Sequence, residues 1–316
     1  MNTTVVLGQM IMIFIMILIG VFLYKGGRLS IDTSKQLSWI IVNITNPITL
    51  LCAALKEEQK ISVKELAASF ALFAIMYAVL IVFSYLLPRV LFVSKEKRFE
   101  FRMLTIFGNV GFIGIPFASA VLGSASLIYV AICGLCFNLI FYTYGMRVLA
   151  KKHSGACKGT GQTGTGVKPG GFGIVNAGTV LSVATIIVYV ADFKIPGAVS
   201  TLLTHIGSCT TFMSMLVLGV SVAQMIPRKV FSNWRLYVFI MLRQIDVPIM
   251  LAFIMKAIGI RGLMLQTIVI LSAMPAANLP LMACKQFGIE EENISAGIIF
   301  TTLSAIVTIP LVVMWM

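Results

Sequence analysis

The stretch Thr105-Ile-Phe-Gly108-Asn109-Val-Gly111-Phe-Ile-Gly114-Ile-Pro116-Phe-Ala118 lies in the middle of a long apolar segment. Three glycines at spacing three, an asparagine and a proline crowd its centre. Proline lacks an amide hydrogen and clashes with the preceding helical turn, and glycine weakens a helix. The pattern predicts a helix that unwinds where it should be most regular. A second stretch has the same character: Leu271-Ser272-Ala-Met-Pro275-Ala-Ala-Asn278-Leu-Pro280-Leu-Met-Ala283. Two prolines there flank an asparagine, again centrally.

Outward from these two segments, the composition sets the environment. Of the 316 residues, 59% are hydrophobic and 11% are charged. Soluble domains carry about 25% charged residues, and a bilayer crossing needs ~20 mostly apolar residues. Ten candidate spans follow: 5–24, 35–55, 65–88, 100–123, 126–149, 174–191, 197–223, 234–257, 264–287 and 293–315. The first run has no basic stretch before it and exceeds a signal-peptide core, so it reads as a span.

The net charge of +13 does not indicate nucleic acid, because the 24 Lys and Arg lie between apolar segments rather than along one stripe. They report topology. With the N-terminus outside, 17 fall in inside loops and 6 in outside loops, and Arg243 remains within a span. Both termini are expected on the non-cytoplasmic side of a plasma or inner membrane, with the anionic cytoplasmic leaflet as the acidic partner.

Residues 151–173 form a Gly-, Thr- and Lys-rich linker between two sets of five spans, 1–150 and 174–316. Gly159, Gly161 and Gly164 fit a dinucleotide fingerprint by letter, but no strand precedes them. An odd number of spans per half places the second half upside down relative to the first, an inverted repeat of the kind recurrent in transporters. Pro116 and Gly123 in the fourth span echo Pro280 and Gly288 in the ninth.

Broken backbone is tolerated in a membrane where it is buried in protein or lines a wet cavity. Its half-helix N-termini suit anions, and the amides of Asn109 and Asn278 can both donate and accept. A single proline is more often just a kink; two matched spans, each with a central Asn, favour a substrate site. Asn43, Thr45, Asn46 and Pro47 interrupt the second span, either as helix–helix hydrogen-bonding groups or as a wall of the same cavity. Arg243 and Asp246, with Pro248, place charge inside the eighth span. They are three apart and can pair on a helix, or serve substrate attraction or ion coupling.

Enzyme signatures are missing. There is no zinc-protease, nucleophile-elbow or Walker A motif, and the two histidines, His153 and His205, make no metal cluster. Cys133-Gly-Leu-Cys136 has redox spacing but sits in an apolar span, as packing residues do. No cofactor and no metal are expected.

Asn109 followed by Gly114-Ile-Pro116 resembles the fourth-helix motif of the auxin efflux carrier family, which includes bacterial malonate-transporter-like permeases. Met274-Pro275-Ala-Ala-Asn278-Leu-Pro280, Ala283-Cys-Lys285-Gln-Phe-Gly288, Ser295-Ala-Gly-Ile-Ile-Phe300 and Pro310 resemble its ninth and tenth helices; Asn46-Pro47 and Arg243 with Pro248 are similar to its second and eighth. The resemblance covers nearly the whole chain. It implies an all-α membrane protein of ten helices in two inverted repeats, with a scaffold domain, a transport domain, and crossover helices 4 and 9. It implies elevator-type alternating access for a small organic anion, with Asn109, Gly111, Gly114, Pro116, Pro275, Asn278, Pro280 and Asn46 at the substrate. It leaves room for H+ or Na+ coupling and for a homodimer through the scaffold. The short central loop is similar to that of the bacterial forms rather than the plant auxin exporters.

Overall fold

A computed structural model describes residues 3–56, 62–152, 177–191, 196–224, 234–286 and 292–315. Most of the 151–173 linker, with Cys157 and its glycines, lies outside the described residues. All regular structure among the described residues is helical. The helices are α1 Thr3–Lys25, α2 Ile31–Ile40, α3 Asn46–Lys56, α4 Val63–Val90, α5 Arg98–Ile106, α6 Ile115–Leu122, α7 Ser126–Ile140, α8 Ala177–Ala191, α9 Gly197–Ala223, α10 Trp234–Ile240, α11 Val247–Ala257, α12 Gly262–Ala273, α13 Leu279–Gln286 and α14 Glu292–Met314.

Five helical stretches are long and apolar enough to cross a bilayer: Val63–Val90, Ser126–Lys152, Gly197–Ala223, Trp234–Ala257 and Asn293–Met314. Large apolar side chains on their outer faces, such as Val82, Phe253 and Val307, are more than 60% exposed. In water such a surface would aggregate; in lipid it is the solvated face. The chain is a multi-pass membrane protein.

Helix ends follow local chemistry. Ser62 and Glu65 form a reciprocal capping box at the start of α4, and Ser30 caps α2. Prolines shape the interiors. π turns at Ile41–Thr45, Val110–Gly114 and Met241–Asp246 each end two residues before a proline: Pro47, Pro116 and Pro248. The residue before each proline reaches back five positions: Asn46 to Ile41, Ile115 to Val110 and Val247 to Leu242. Widening the turn relieves the clash between the proline ring and the carbonyl four residues earlier. The helix continues instead of breaking.

This corrects the expectation for the fourth span. Its extended break is Phe107–Asn109, not Pro116, which sits in the first turn of α6 where proline is tolerated. The ninth span does break where expected, over Met274–Asn278 around Pro275.

α9 packs on α1 and α3, and α3 on α8. The α1–α9 crossing is close. A Cβ on Gly20 would lie 2.6 Å from the carbonyl of Leu216, and one on Gly219 would lie 2.7 Å from the Cα of Gly20. A second group holds α4 on α5 and α7, and α11 on α12, with α14 against α5, α10 and α12. α7 meets α8 and α14 meets α1, joining the groups. Cys133 and Cys136 are buried free thiols in α7, Cys133 lying 3.8 Å from the Tyr77 hydroxyl.

Candidate functional site at the crossing of two broken helices

The two breaks meet. The amide of Asn109 donates to the carbonyl of Pro275 at 2.6 Å, and the amide of Ala277 donates to the carbonyl of Phe107 at 2.8 Å. Gly108 and Ala276 thus face each other as an isolated antiparallel bridge. Each unwound strand satisfies the other's backbone, which removes the penalty for unpaired groups within a membrane. A further donor, the amide of Ala276, goes to the Thr301 hydroxyl at 3.0 Å.

Four helix ends converge on the crossing. α5 and α12 end there, and two half-helices begin there, at Val110 and at Leu279. Arg243, 2% exposed, serves the C-terminal pair: its Nε donates to the carbonyl of Thr105 at 2.6 Å and its Nη1 to that of Ser272. One guanidinium therefore caps both negative helix ends. The spacing of Arg243 and Asp246 does not yield a pair. The one ion pair among the described residues is Lys35–Asp32, and Asp246 is exposed on the far side of the π turn. Neighbouring Gln244 is fully buried, donates to the Thr301 carbonyl at 2.9 Å and accepts from the Ser304 hydroxyl at 2.6 Å.

The N-terminal side is less complete. Asn109 is 3% exposed, and its Oδ1 accepts from the Phe112 amide at 3.0 Å, capping the half-helix. Its Nδ2 is buried with no partner among the described residues. On the first turn of α3, Asn46 Oδ1 is also buried and without a partner among the described residues, as is the adjacent Thr45 Oγ1. A Cβ on Gly111 would lie 3.5 Å from Asn46 Nδ2, an ordinary contact distance, so the two elements are neighbours here. Buried polar atoms are ordinarily satisfied. Three such atoms on two neighbouring elements lack partners among the described residues.

Asn109, Gly111 and Asn46 are therefore together, beside the bridge that carries Pro275. Gly114 and Pro116 are buried further along the half-helix that begins at Val110, Gly114 against Leu271. Asn278 and Pro280 open the other half-helix, with Asn278 partly exposed. Sequence reading passed over Gln244, Thr301 and Glu100. Glu100, 4% exposed, accepts from the amide of Asn293 at 2.8 Å and from its Nδ2 at 3.1 Å, tying α5 to the start of α14. A carboxylate and a glutamine beside apolar runs were the visible signals; which partner each would find was not.

The arrangement offers no nucleophile with a base and, among the described residues, no group of metal-ligating side chains. The model of a family described as membrane transport protein matches residues 5–163 and 177–313. An uncharacterized transporter of Methanocaldococcus jannaschii is 24% identical over 311 residues, covering 95% of this chain and 96% of that protein. The chain therefore belongs to this family of membrane transport proteins, the auxin efflux carrier family that its motifs resemble, and is a transporter rather than an enzyme.

Proposed function

We propose that the protein moves a small organic anion bearing a carboxylate, malonate- or auxin-like, across a plasma or inner membrane, and that the crossing is its binding site. The observation that carries this reading is the set of buried orphans, Asn109 Nδ2, Asn46 Oδ1 and Thr45 Oγ1, at the N-terminus of the half-helix that begins at Val110. Helix N-termini and an amide donor favour a carboxylate. The acceptors on Asn46 and Thr45 suit a hydroxyl or a bound water on the same ligand. Gly111, Gly114, Pro116, Pro275, Asn278 and Pro280 shape the backbone around it. Arg243 acts by holding the crossing together, and Asp246 remains available for ion coupling with H+ or Na+.

Ten crossings in two inverted halves, 1–150 and 174–316, give this site its place. In support, the helix pairings recur when the first five crossings are exchanged for the last five: α1–α9 with α8–α3, α4–α5 with α11–α12, and α7–α8 with α14–α1. The group α1, α3, α8 and α9 serves as scaffold, and also as the face for a homodimer. The group around the crossing slides past it, elevator-like, between the two sides, with both termini on the non-cytoplasmic side. Asn46 lies on the first group and Asn109 on the second, so the sliding makes and breaks their joint contact with the ligand.

A thermal-shift series of the purified protein with mono- and dicarboxylates tests the ligand class. A carboxylate should raise the unfolding temperature of the wild type and not of Asn109→Ala. No stabilisation by any carboxylate would remove the organic-anion reading.

A further inference from the structure

Away from the crossing, the turn between α4 and α5 and the end of the Ser126–Lys152 helix enclose a cleft of about 270 Å³, lined by Lys95, Glu96, Arg98, Phe99, Arg102 and Lys152. Drug-sized ligands occupy pockets of ~300–1,000 Å³, so this one suits a compact polar group. Four of its six lining residues are cations and one is a carboxylate. None of the four forms an ion pair, since the one ion pair among the described residues is Lys35–Asp32.

Three of the cations are nevertheless held in place. The Arg102 guanidinium lies 4.1 Å from the centroid of the Tyr85 ring, and that ring is in turn fixed by a 2.9 Å hydrogen bond from the Tyr144 hydroxyl. Arg102 Nε is buried without an acceptor among the described residues. Arg98 Nε donates to the Val93 carbonyl at 3.0 Å. Lys152 Nζ donates to the Glu96 carbonyl at 3.2 Å and sits 5.2 Å from the centroid of the Phe99 ring. Aromatic faces and neutral carbonyls orient these groups without neutralising them. Like charges gathered in one small cleft repel unless an anion joins them. Two arginines present forked donors that match a phosphate's oxygens, and lysines add point charge.

We infer that this cleft binds a phosphate group, at a site separate from the crossing and independent of what the protein transports. Two sources share that chemistry: the headgroup of an anionic phospholipid at the membrane surface, or free phosphate from the water. Unfolding temperature of the detergent-solubilised protein, measured in mixed micelles with phosphatidylglycerol against phosphatidylcholine, and with inorganic phosphate against chloride at equal ionic strength, separates them. Stabilisation by phosphatidylglycerol alone assigns a lipid headgroup, and stabilisation by inorganic phosphate assigns a soluble ion. In either case the stabilisation should be lost in Arg98→Gln/Arg102→Gln. Should that variant not fold, Lys95→Gln/Lys152→Gln at the cleft rim should weaken the same response. The inference is overturned if neither probe stabilises the wild type beyond its control, or if a folded double variant responds as the wild type does.

Discussion

Arg243 and Asn109 occupy one crossing and do different work there. Arg243 gives two charge-assisted hydrogen bonds to helix-end carbonyls. Arg243→Met should cost about 3 kcal/mol or more, because two buried carbonyls lose their donors; a large drop in unfolding temperature checks this. Arg243→Lys keeps the charge but lacks the fork and should fall between the two. Asn109 has one satisfied atom, Oδ1, and one orphan, Nδ2. Asn109→Asp retains the cap on the Phe112 amide and removes the donor. The variant should therefore unfold within a few degrees of the wild type yet lose ligand stabilisation. Asn109→Ala loses the cap as well, worth about 1 kcal/mol. These residues were legible in the sequence as polar groups in apolar runs. Their partners were not, because Thr105 and Ser272 offer only carbonyls to Arg243, and carbonyls have no sequence signature.

At the level of elements, prolines and glycines announced irregular helices and Pro275 located the break in the ninth span, but in the fourth span the proline did not mark it. Pro47, Pro116 and Pro248 are absorbed by π turns. The true break in the fourth span lies at Gly108, eight residues before Pro116. What fixes it there is pairing with the ninth span, a contact between residues 168 positions apart that no local rule predicts. Restoring an amide hydrogen with Pro116→Ala removes the reason for the π turn. The turn should then tighten and rotate Gly111 away from Asn46. The expected outcome is an unfolding temperature near that of the wild type with transport reduced severalfold. Unchanged transport would mean that the π turn does not set the site.

For the whole molecule, composition alone placed the chain in a membrane, and the linker between two sets of five candidate spans suggested two opposed halves. How closely helices from different halves approach was not readable. Gly20 and Gly219 look like ordinary glycines in apolar runs, yet together they let α1 and α9 touch backbone to backbone. Gly219→Leu has no room and should destabilise the protein by about 1–3 kcal/mol or more, seen as a lower unfolding temperature and a poor yield of folded protein. Gly8 has nothing within 4 Å of a Cβ, so Gly8→Ala is the neutral comparison. The central claim, that a carrier binds its anion where two broken helices cross, is tested most directly by uptake of labelled malonate and related carboxylates into proteoliposomes containing the wild type or Asn109→Asp. Saturable uptake of at least one carboxylate is expected for the wild type, and none above empty vesicles for the folded variant. Equal uptake by both would contradict that claim, as would tight binding to the wild type without any flux.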